Sequence, residues 1–221
     1  KCSVIARHSA WMKFKKKLLL HNSNQQSLIY SPLSHFDLQH IETATKGRRF
    51  EIIKRNLNTK SGTVLDIGAA WGYYCHKFEE LGFDCTAIEN DHHSVYFMKN
   101  LSKACGKKFK ILKKNIFLLK KSELKFDIIL AFSIFHHFIR TENLYNDFIA
   151  FLHRLETKEM YFLAAVADPL AKSKNAHLNI YKTLTPEEMV ELIISNSCLT
   201  DYELLADSLY QNRVLFRIYK K

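Results

Sequence analysis

From Ser61 onward, short apolar runs alternate with amphipathic stretches, and this alternation predicts strands that are each followed by a helix. A Thr-Pro pair at residues 185–186 predicts the capped start of a later helix that ends near Ser195. Residues 201–219 read as two strands joined around 208–212. The predicted strands cover 63–67, 85–88, 109–112, 126–132 and 160–166, and the helices between them cover 72–81, 92–105 and 141–155. This order predicts an α/β fold with a mostly parallel sheet, helices on both faces and a C-terminal antiparallel hairpin.

The first 59 residues follow a different pattern. Residues 4–20 are compatible with a basic helix that has Trp11, Phe14 and Leu18 on one face, and the polar stretch 21–34 is typical of a loop. Helical periodicity returns over 38–57, where Gly47 divides the segment into two pieces. We therefore expect an N-terminal helical extension over 1–59, followed by the main domain over 60–221.

Four basic residues occupy the polar positions of that second helical segment: Arg48, Arg49, Lys54 and Arg55. Their spacing favours a solvated helix face. Their position just before the main domain leaves a second interpretation open, in which they bind an anionic substrate.

The most informative segment runs from Val64 to Tyr73, with the sequence VLDIGAAWGY. An apolar strand leads into the acidic Asp66, then into a tight turn of small residues, and then into a helix. Gly68 permits the sharp turn and a close approach of a ligand to the backbone. Glu89 ends the second strand, 21 residues after Gly68. A carboxylate there can accept hydrogen bonds from the hydroxyls of a ribose.

This segment resembles motif I of class I S-adenosylmethionine-dependent methyltransferases, in which an acid is followed by alternating glycines. Asp66, Gly68 and Gly72 match that pattern, whereas Ala70 stands where a middle glycine is usual. Asn115-Ile116 resembles the pair that flanks the adenine ring, and residues 127–138 (DIILAFSIFHHF) resemble the fourth strand and the loop that follows it in small-molecule methyltransferases. The resemblance covers residues 60–166 and implies a Rossmann-like fold.

The resemblance also implies the cofactor, S-adenosyl-L-methionine, and the residues that bind it. A dinucleotide-binding domain is the nearest rival, but its fingerprint places bare backbone amides against a pyrophosphate. A carboxylate before the turn repels a pyrophosphate and suits a cationic cofactor. The expected cofactor-binding residues are Asp66, Gly68, Ala69, Ala70, Trp71, Gly72, Glu89, Asn90, Asn115, Ile116 and Ser133.

Two adjacent histidines, His136 and His137, are the candidates for a catalytic general base, because a neutral imidazole can take a proton from a hydroxyl or an amine. The alternative is that one of them packs against or caps the next helix. No metal is expected, since adjacent histidines need not converge on one ion. His92 and His93 are expected to begin a helix near the adenosine, and Asp168-Pro169 either borders the acceptor pocket or forms a turn.

The charge of the chain leaves the methyl acceptor open. The net charge is +11 and the pI is about 9.4, so RNA or another polyanion is a possible substrate. The loop over residues 133–138 favours a small-molecule acceptor, and the Asn/Asp-Pro-Pro-aromatic loop of many amino-directed nucleic-acid enzymes is missing there. A non-catalytic binding module that retains the fold is a third possibility.

The remaining features indicate the compartment. Five scattered cysteines fit neither a disulfide framework nor a zinc motif, and reduced thiols are typical of a cytoplasmic protein. No apolar run approaches the roughly 18 residues of a membrane span, and the basic N-terminus lacks the apolar core of a signal peptide. We therefore expect a cytoplasmic enzyme without a membrane span.

Overall fold

The computed structural model describes residues 11–18, 29–164, 184–209 and 213–221. Seven strands form one sheet: β1 (Thr63–Ile67), β2 (Asp84–Glu89), β3 (Lys110–Lys113), β4 (Ile128–Phe132), β5 (Glu159–Ala164), β6 (Asp201–Leu209) and β7 (Arg213–Tyr219). Their order across the sheet is β3-β2-β1-β4-β5-β7-β6. The strands β1 to β5 pair in parallel, whereas β7 pairs antiparallel with both β5 and β6. The predicted mostly parallel sheet with a C-terminal antiparallel hairpin is confirmed.

Within the described ranges, seven α-helices accompany the sheet: α1 (residues 11–18), α2 (Arg48–Arg55), α3 (Tyr73–Glu80), α4 (His92–Ala104), α5 (Phe135–Phe138), α6 (Glu142–Arg154) and α7 (Pro186–Ser195). The predicted helices over 72–81, 92–105 and 141–155 are confirmed to within one residue at each end. The start of α7 is also confirmed, since the Thr185 hydroxyl accepts from the Glu188 amide and the Glu188 carboxylate accepts from the Thr185 amide.

The predicted helix over 38–57 is wrong in its first half. Only α2 forms there, and it begins after Gly47, whose φ of 74° lies in the left-handed region. Residues 43–45 instead pair with residues 29–30, because the Ala44 amide donates to the Ile29 carbonyl and the Thr45 amide donates to the Tyr30 carbonyl. These tertiary hydrogen bonds replace the intrahelical ones that the apolar spacing suggested.

Apolar clusters cover both faces of the sheet, so the predicted layering is confirmed. Successive residues of β1 alternate between them: Val64 packs in the cluster of α2 and α3, and Leu65 packs in the cluster of α6 and α7. A third cluster joins Phe14 and Leu18 of α1 to Phe97 on α4, which confirms the predicted apolar face within residues 11–18. The predictions for residues 4–10, 19–28 and 165–169 lie outside the described residues.

The topology determines where a ligand can bind. Because β1 to β5 are parallel, their carboxyl ends lie along one edge of the sheet. The chain runs outward from β1 to β3 and then returns to β4 on the other side of β1. Ligands in open α/β sheets bind at such a reversal of strand order, beyond the carboxyl ends. The loops after β1, β2, β3 and β4 meet there.

Candidate functional site

The turn after β1 is built around two glycines with left-handed backbone conformations. Gly68 has a φ of 69°, and the amides of Gly68 and Ala69 both donate to the Ile88 carbonyl, at 2.9 and 3.2 Å. Gly72 has a φ of 82° immediately before α3, and a Cβ there would lie 2.8 Å from Met98 Cγ. The turn therefore needs glycine at both positions and joins the ends of β1 and β2.

Ala70, the departure from the usual glycine, also adopts a left-handed conformation, with a φ of 48°. A residue with a Cβ is disfavoured there by about 1–2 kcal/mol. The Ala70 amide donates to Glu89 Oε2 at 2.9 Å, and this charge-assisted bond holds the strained residue in place.

Three backbone amides fix the carboxylate of Glu89. Besides the bond from Ala70 to Oε2, the amides of Asn90 and Asp91 donate to Oε1 at 2.8 and 2.9 Å. A carboxylate offers roughly four lone-pair positions, so about one remains for a ligand. The Glu89 carboxylate is thus positioned before any ligand arrives.

A cleft of about 250 Å³ opens beside Glu89. It contains five of the expected cofactor-binding residues, together with one of the two predicted catalytic histidines and an apolar wall that the sequence did not indicate. The expected residues are Gly68, Glu89, Asn90, Asn115, Ile116 and His137, and the others include Ile67, Ile88, Lys114, Phe117, Ile134, Phe138 and Leu144. Mostly apolar walls with a few convergent polar groups are typical of a small-molecule or cofactor site.

Other expected cofactor-binding residues lie behind or beside the cleft. Ala69 is buried in the turn, and Trp71 packs against Phe97 of α4 at a ring separation of 4.6 Å. Ser133 follows β4 with a φ of 58°, and its hydroxyl lies 3.4 Å from that of Tyr30. These three residues shape the loops around the cleft instead of lining it. His92 begins α4 together with His93, as predicted.

Asp66 is buried at 2% exposure behind the turn, where its Oδ2 lies 3.9 Å from Cys75 Sγ. Burial, with a further contribution from the charge of Glu89, raises the pKa of Asp66 to about 7. A carboxyl in this state lacks a cation to stabilise its charged form. The two acids therefore create a site of negative potential next to Gly68, which suits a cationic ligand.

The two histidines are neutral at pH 7. Burial, together with the charges of His137, Arg213 and Arg140, lowers the pKa of His136 to about 4. Burial and the same two arginines also lower the pKa of His137. The ring centroids lie 4.0 Å apart, but only His137 lines the cleft. The short helix α5 that carries them was not predicted.

A buried polar cluster beside Ser133 was not predicted from the sequence. Arg49 is only 4% exposed, and it donates from Nη1 to the Tyr74 hydroxyl and from Nη2 to the Tyr30 hydroxyl, both at 3.1 Å. The favoured interpretation of Arg49 as part of a solvated helix face is therefore wrong. The spacing held a signal, since Arg49 precedes the buried Ile53 by four residues and so shares its helix face.

Tyr30 has an unusual electrostatic environment. Burial alone would raise the pKa of its hydroxyl, but the charge of Arg49, hydrogen bonds with Ser133 and Arg49, and the charge of Arg213 together lower it below the ordinary value. Tyr30 therefore provides a more acidic phenol than usual at the end of β4.

Two further findings concern metals and membranes. Among the described residues, no group of three His, Cys, Asp or Glu side chains is placed to hold a metal ion. Within those same ranges, no helix has the length and apolar character needed to cross a membrane. The cysteines at 75, 85, 105 and 198 are free thiols.

Solved structures with the same fold come from several proteins. The bifunctional kinase-methyltransferase WbdD superposes with a TM-score of 0.65 at 16% identity, over 88% of this chain and 44% of that one. The N-terminal domain of EvdMO1, solved with SAH (S-adenosylhomocysteine) bound, gives a TM-score of 0.61 at 9% identity, over 93% and 97% of the two chains. The PH0226 protein from Pyrococcus horikoshii OT3 gives 0.58 at 13% identity, over 79% and 89%.

The chain thus spans less than half the length of WbdD. No curated protein matches the sequence. Residues 58–212 match the family model described as a methyltransferase domain, which covers more than half of the chain. The resemblance read from Asp66, Gly68 and Glu89 is confirmed: the chain belongs to the methyltransferase domain family.

Proposed function

We propose that the chain methylates a small molecule and that the cleft beside Glu89 holds the adenosine part of S-adenosylmethionine. The observation that carries the proposal is the convergence of Gly68, Glu89, Asn90, Asn115 and Ile116, which come from the ends of three strands and line one cleft. Glu89 accepts from the ribose, Asn115 and Ile116 flank the base, and Gly68 lets the rest of the cofactor approach the backbone.

The environment of Asp66 supports a cationic cofactor. Its raised pKa of about 7 reflects a buried carboxyl near another acid, and a nearby positive charge favours the ionised form. The bound cofactor supplies an activated methyl group on a sulfonium. We propose that Asp66 stabilises the cofactor's positive charge from behind the turn, and that Ala69, Ala70, Trp71 and Gly72 fix the turn.

Catalysis then depends on holding donor and acceptor in line, and on removing a proton where the acceptor has one. His137 is the better placed of the two histidines because it lines the cleft. Its lowered pKa means that the imidazole is unprotonated at pH 7, as a general base must be before it acts, and His136 is unprotonated as well. Ser133, at the end of β4, is proposed to border the transferred methyl group.

The local partners of the basic residues favour a small-molecule acceptor. Lys15 pairs with Asp37, and Lys17 lies 4.0 Å from the centre of the Tyr96 ring. Lys107 pairs with Glu80, and Lys158 with Asp127 on another part of the surface. Many of the lysines that raised the possibility of RNA thus serve local contacts on separate elements.

The test is a methylation assay with tritiated S-adenosylmethionine and fractionated extract of cells that lack the enzyme. We expect label in the small-molecule fraction that ribonuclease leaves unchanged. RNA is the alternative, supported by the net charge, and it predicts label in the RNA fraction. It also predicts RNA binding that weakens roughly a thousandfold or more between about 50 and 200 mM salt. Label in RNA together with that salt dependence would contradict the proposal.

The N-terminal segment has a proposed role in the same site. Tyr30 and Arg49 come from the first 59 residues, and they meet Ser133 and Tyr74 of the main domain. We propose that residues 1–59 form an extension that completes the acceptor side of the site. The boundary at residue 59 and the cytoplasmic location stay predictions.

A further inference from the structure

Arg49 is a buried cation whose polar partners are neutral. The guanidinium lies between the hydroxyls of Tyr30 and Tyr74 and within 5.6 Å of the centres of the Tyr30 and Phe132 rings. In the described part of the chain, Arg49 forms no ion pair, and its buried Nε has no hydrogen-bond partner. A guanidinium has five N–H donors, so most of them remain available.

The other deeply buried arginine shows what Arg49 lacks. Arg217 is 6% exposed, and it donates to Glu159 at 2.7 Å and to Glu203 at 2.9 Å. A charge taken out of water is costly unless an opposite charge and hydrogen bonds compensate it. Arg217 has that compensation from two carboxylates, and Arg49 has only phenols and aromatic faces. Arg49 is therefore suited to receive an anion from outside the protein.

The position of Arg49 connects it to the acceptor side of the cleft. The Tyr30 hydroxyl is 3.1 Å from Arg49 Nη2 and 3.4 Å from the hydroxyl of Ser133, the residue that follows β4. The strand β4 pairs with β1, which leads directly into Gly68 of the cofactor cleft. An anion on the Tyr30 edge of Arg49 would thus lie near the point where methyl transfer is proposed.

The electrostatics of neighbouring groups agree with this placement. The charge of Arg213 lowers the pKa values of Tyr30, His136 and His137, and the charge of Arg140 lowers those of both histidines. Positive potential from several elements therefore reaches the acceptor side of the cleft, whereas Asp66 and Glu89 supply negative potential on the cofactor side. The electrostatic potential of the site thus changes from negative on the cofactor side to positive on the acceptor side.

We propose that the methyl acceptor carries an anionic group, a carboxylate or a phosphate, which binds to Arg49 beside the Tyr30 hydroxyl. The proposal rests on the proposed function, since it names the substrate class of the same site. Nε and Nη2 share one edge of the guanidinium, and such an edge matches two oxygens of a carboxylate or phosphate. Arg49 and Tyr30 are positioning residues. They hold the acceptor in place and take no direct part in the methyl transfer.

The test measures anion binding to protein saturated with SAH. Inorganic phosphate and acetate are titrated separately by calorimetry into the wild type, Arg49→Met and the matched control Arg48→Met. Arg48 precedes Arg49 on α2 but is exposed, so both variants lose the same formal charge. We expect one saturable site in the wild type, binding at least about tenfold weaker in Arg49→Met, and no change in Arg48→Met.

The two probes separate the two chemistries, because a carboxylate site favours acetate and a phosphate site favours phosphate. No saturable binding of either anion to the wild type would overturn the proposal, and so would equal binding by Arg49→Met. An equal loss in both variants would also overturn it, since it would indicate a general effect of net charge.

A second variant keeps the test decisive if Arg49→Met does not fold. Tyr30→Phe removes one hydroxyl from the same edge and keeps the ring, and we expect weaker anion binding with unchanged affinity for SAH. Unchanged anion binding would contradict the proposal. SAH itself is titrated into the same proteins, so that a failure to bind SAH counts against the proposed function, and a failure to bind anions counts against this inference alone.

Discussion

Replacing Asp66 by Asn should make the ligand-free protein more stable at neutral and alkaline pH. Burial and the charge of Glu89 raise the pKa of Asp66 from the ordinary value of 3.8 to about 7. The folded protein therefore holds a proton that the unfolded chain releases between about pH 4 and pH 7. The contribution of Asp66 to stability is fully present below pH 4 and is lost as the pH rises to about 7.

The size of this effect follows from the two pKa values. A difference of one pH unit corresponds to ~1.4 kcal/mol, so ionised Asp66 costs on the order of 4 kcal/mol in the folded state. The neutral amide of the variant avoids that cost. For a chain of this size, 1 kcal/mol shifts Tm by about 2–4 °C, so we expect a rise of roughly 10 °C at pH 8.

The assay is thermal or urea unfolding of wild type and Asp66→Asn from pH 4 to pH 8. His76 and His136, whose burial lowers their pKa values to about 4, change stability in the opposite direction over the same range. The difference between variant and wild type removes their contribution, because both proteins contain them. That difference should grow from near zero at pH 4 to a plateau above pH 7.

A constant difference over this range, or a variant less stable than wild type at pH 8, would show that the pKa of Asp66 is not raised in the folded protein. Saturating S-adenosylmethionine should reverse the order of stability, because its positive charge stabilises the ionised acid. The affinity of the wild type should therefore fall as the pH drops below about 7, while that of Asp66→Asn stays low and nearly constant.

Three further predictions concern the cleft and its turn. Glu89→Gln loses a charged acceptor, and calorimetry should show SAH binding at least about tenfold weaker; equal affinity would show that this acid does not hold the ribose. His137→Asn should lower turnover much more than cofactor affinity, and wild-type turnover should decline only at pH values below the ordinary imidazole pKa; normal turnover in the variant would assign His137 to packing. Gly72→Ala should reduce stability to urea by about 1–3 kcal/mol because its φ is 82°, and a change within about 0.5 kcal/mol would contradict the need for glycine.

The core of the fold could be predicted because its signals are local. The three apolar residues of β1, the small residues of the turn and the acid at the end of β2 each indicate their own backbone conformation and burial. A parallel sheet then places Glu89 beside Gly68 without further information. The exact bounds of β1 and α7 follow from a sharp change of pattern at each end.

The predictions that were wrong concern residues whose structure depends on tertiary contacts. The segment before Gly47 has helical spacing, yet its backbone pairs with residues 29–30. Residues 48 and 49 are both arginines, but in the structure only Arg49 contacts Tyr30 and Tyr74. The helical spacing places Arg49 on the face of the buried Ile53, but it does not identify the partners of Arg49, because Tyr74 lies 25 residues away on another helix. The contacts on which the proposed acceptor side depends therefore could not be predicted from the sequence.

The most direct test of the central claim is calorimetric titration of the wild-type protein with S-adenosylmethionine, SAH and NAD. We expect one site with micromolar affinity for both methyl-cofactor forms and no measurable response to NAD, because Asp66 and Glu89 favour a cation and oppose a pyrophosphate. Micromolar binding of NAD, with no heat from either methyl-cofactor form, would contradict it.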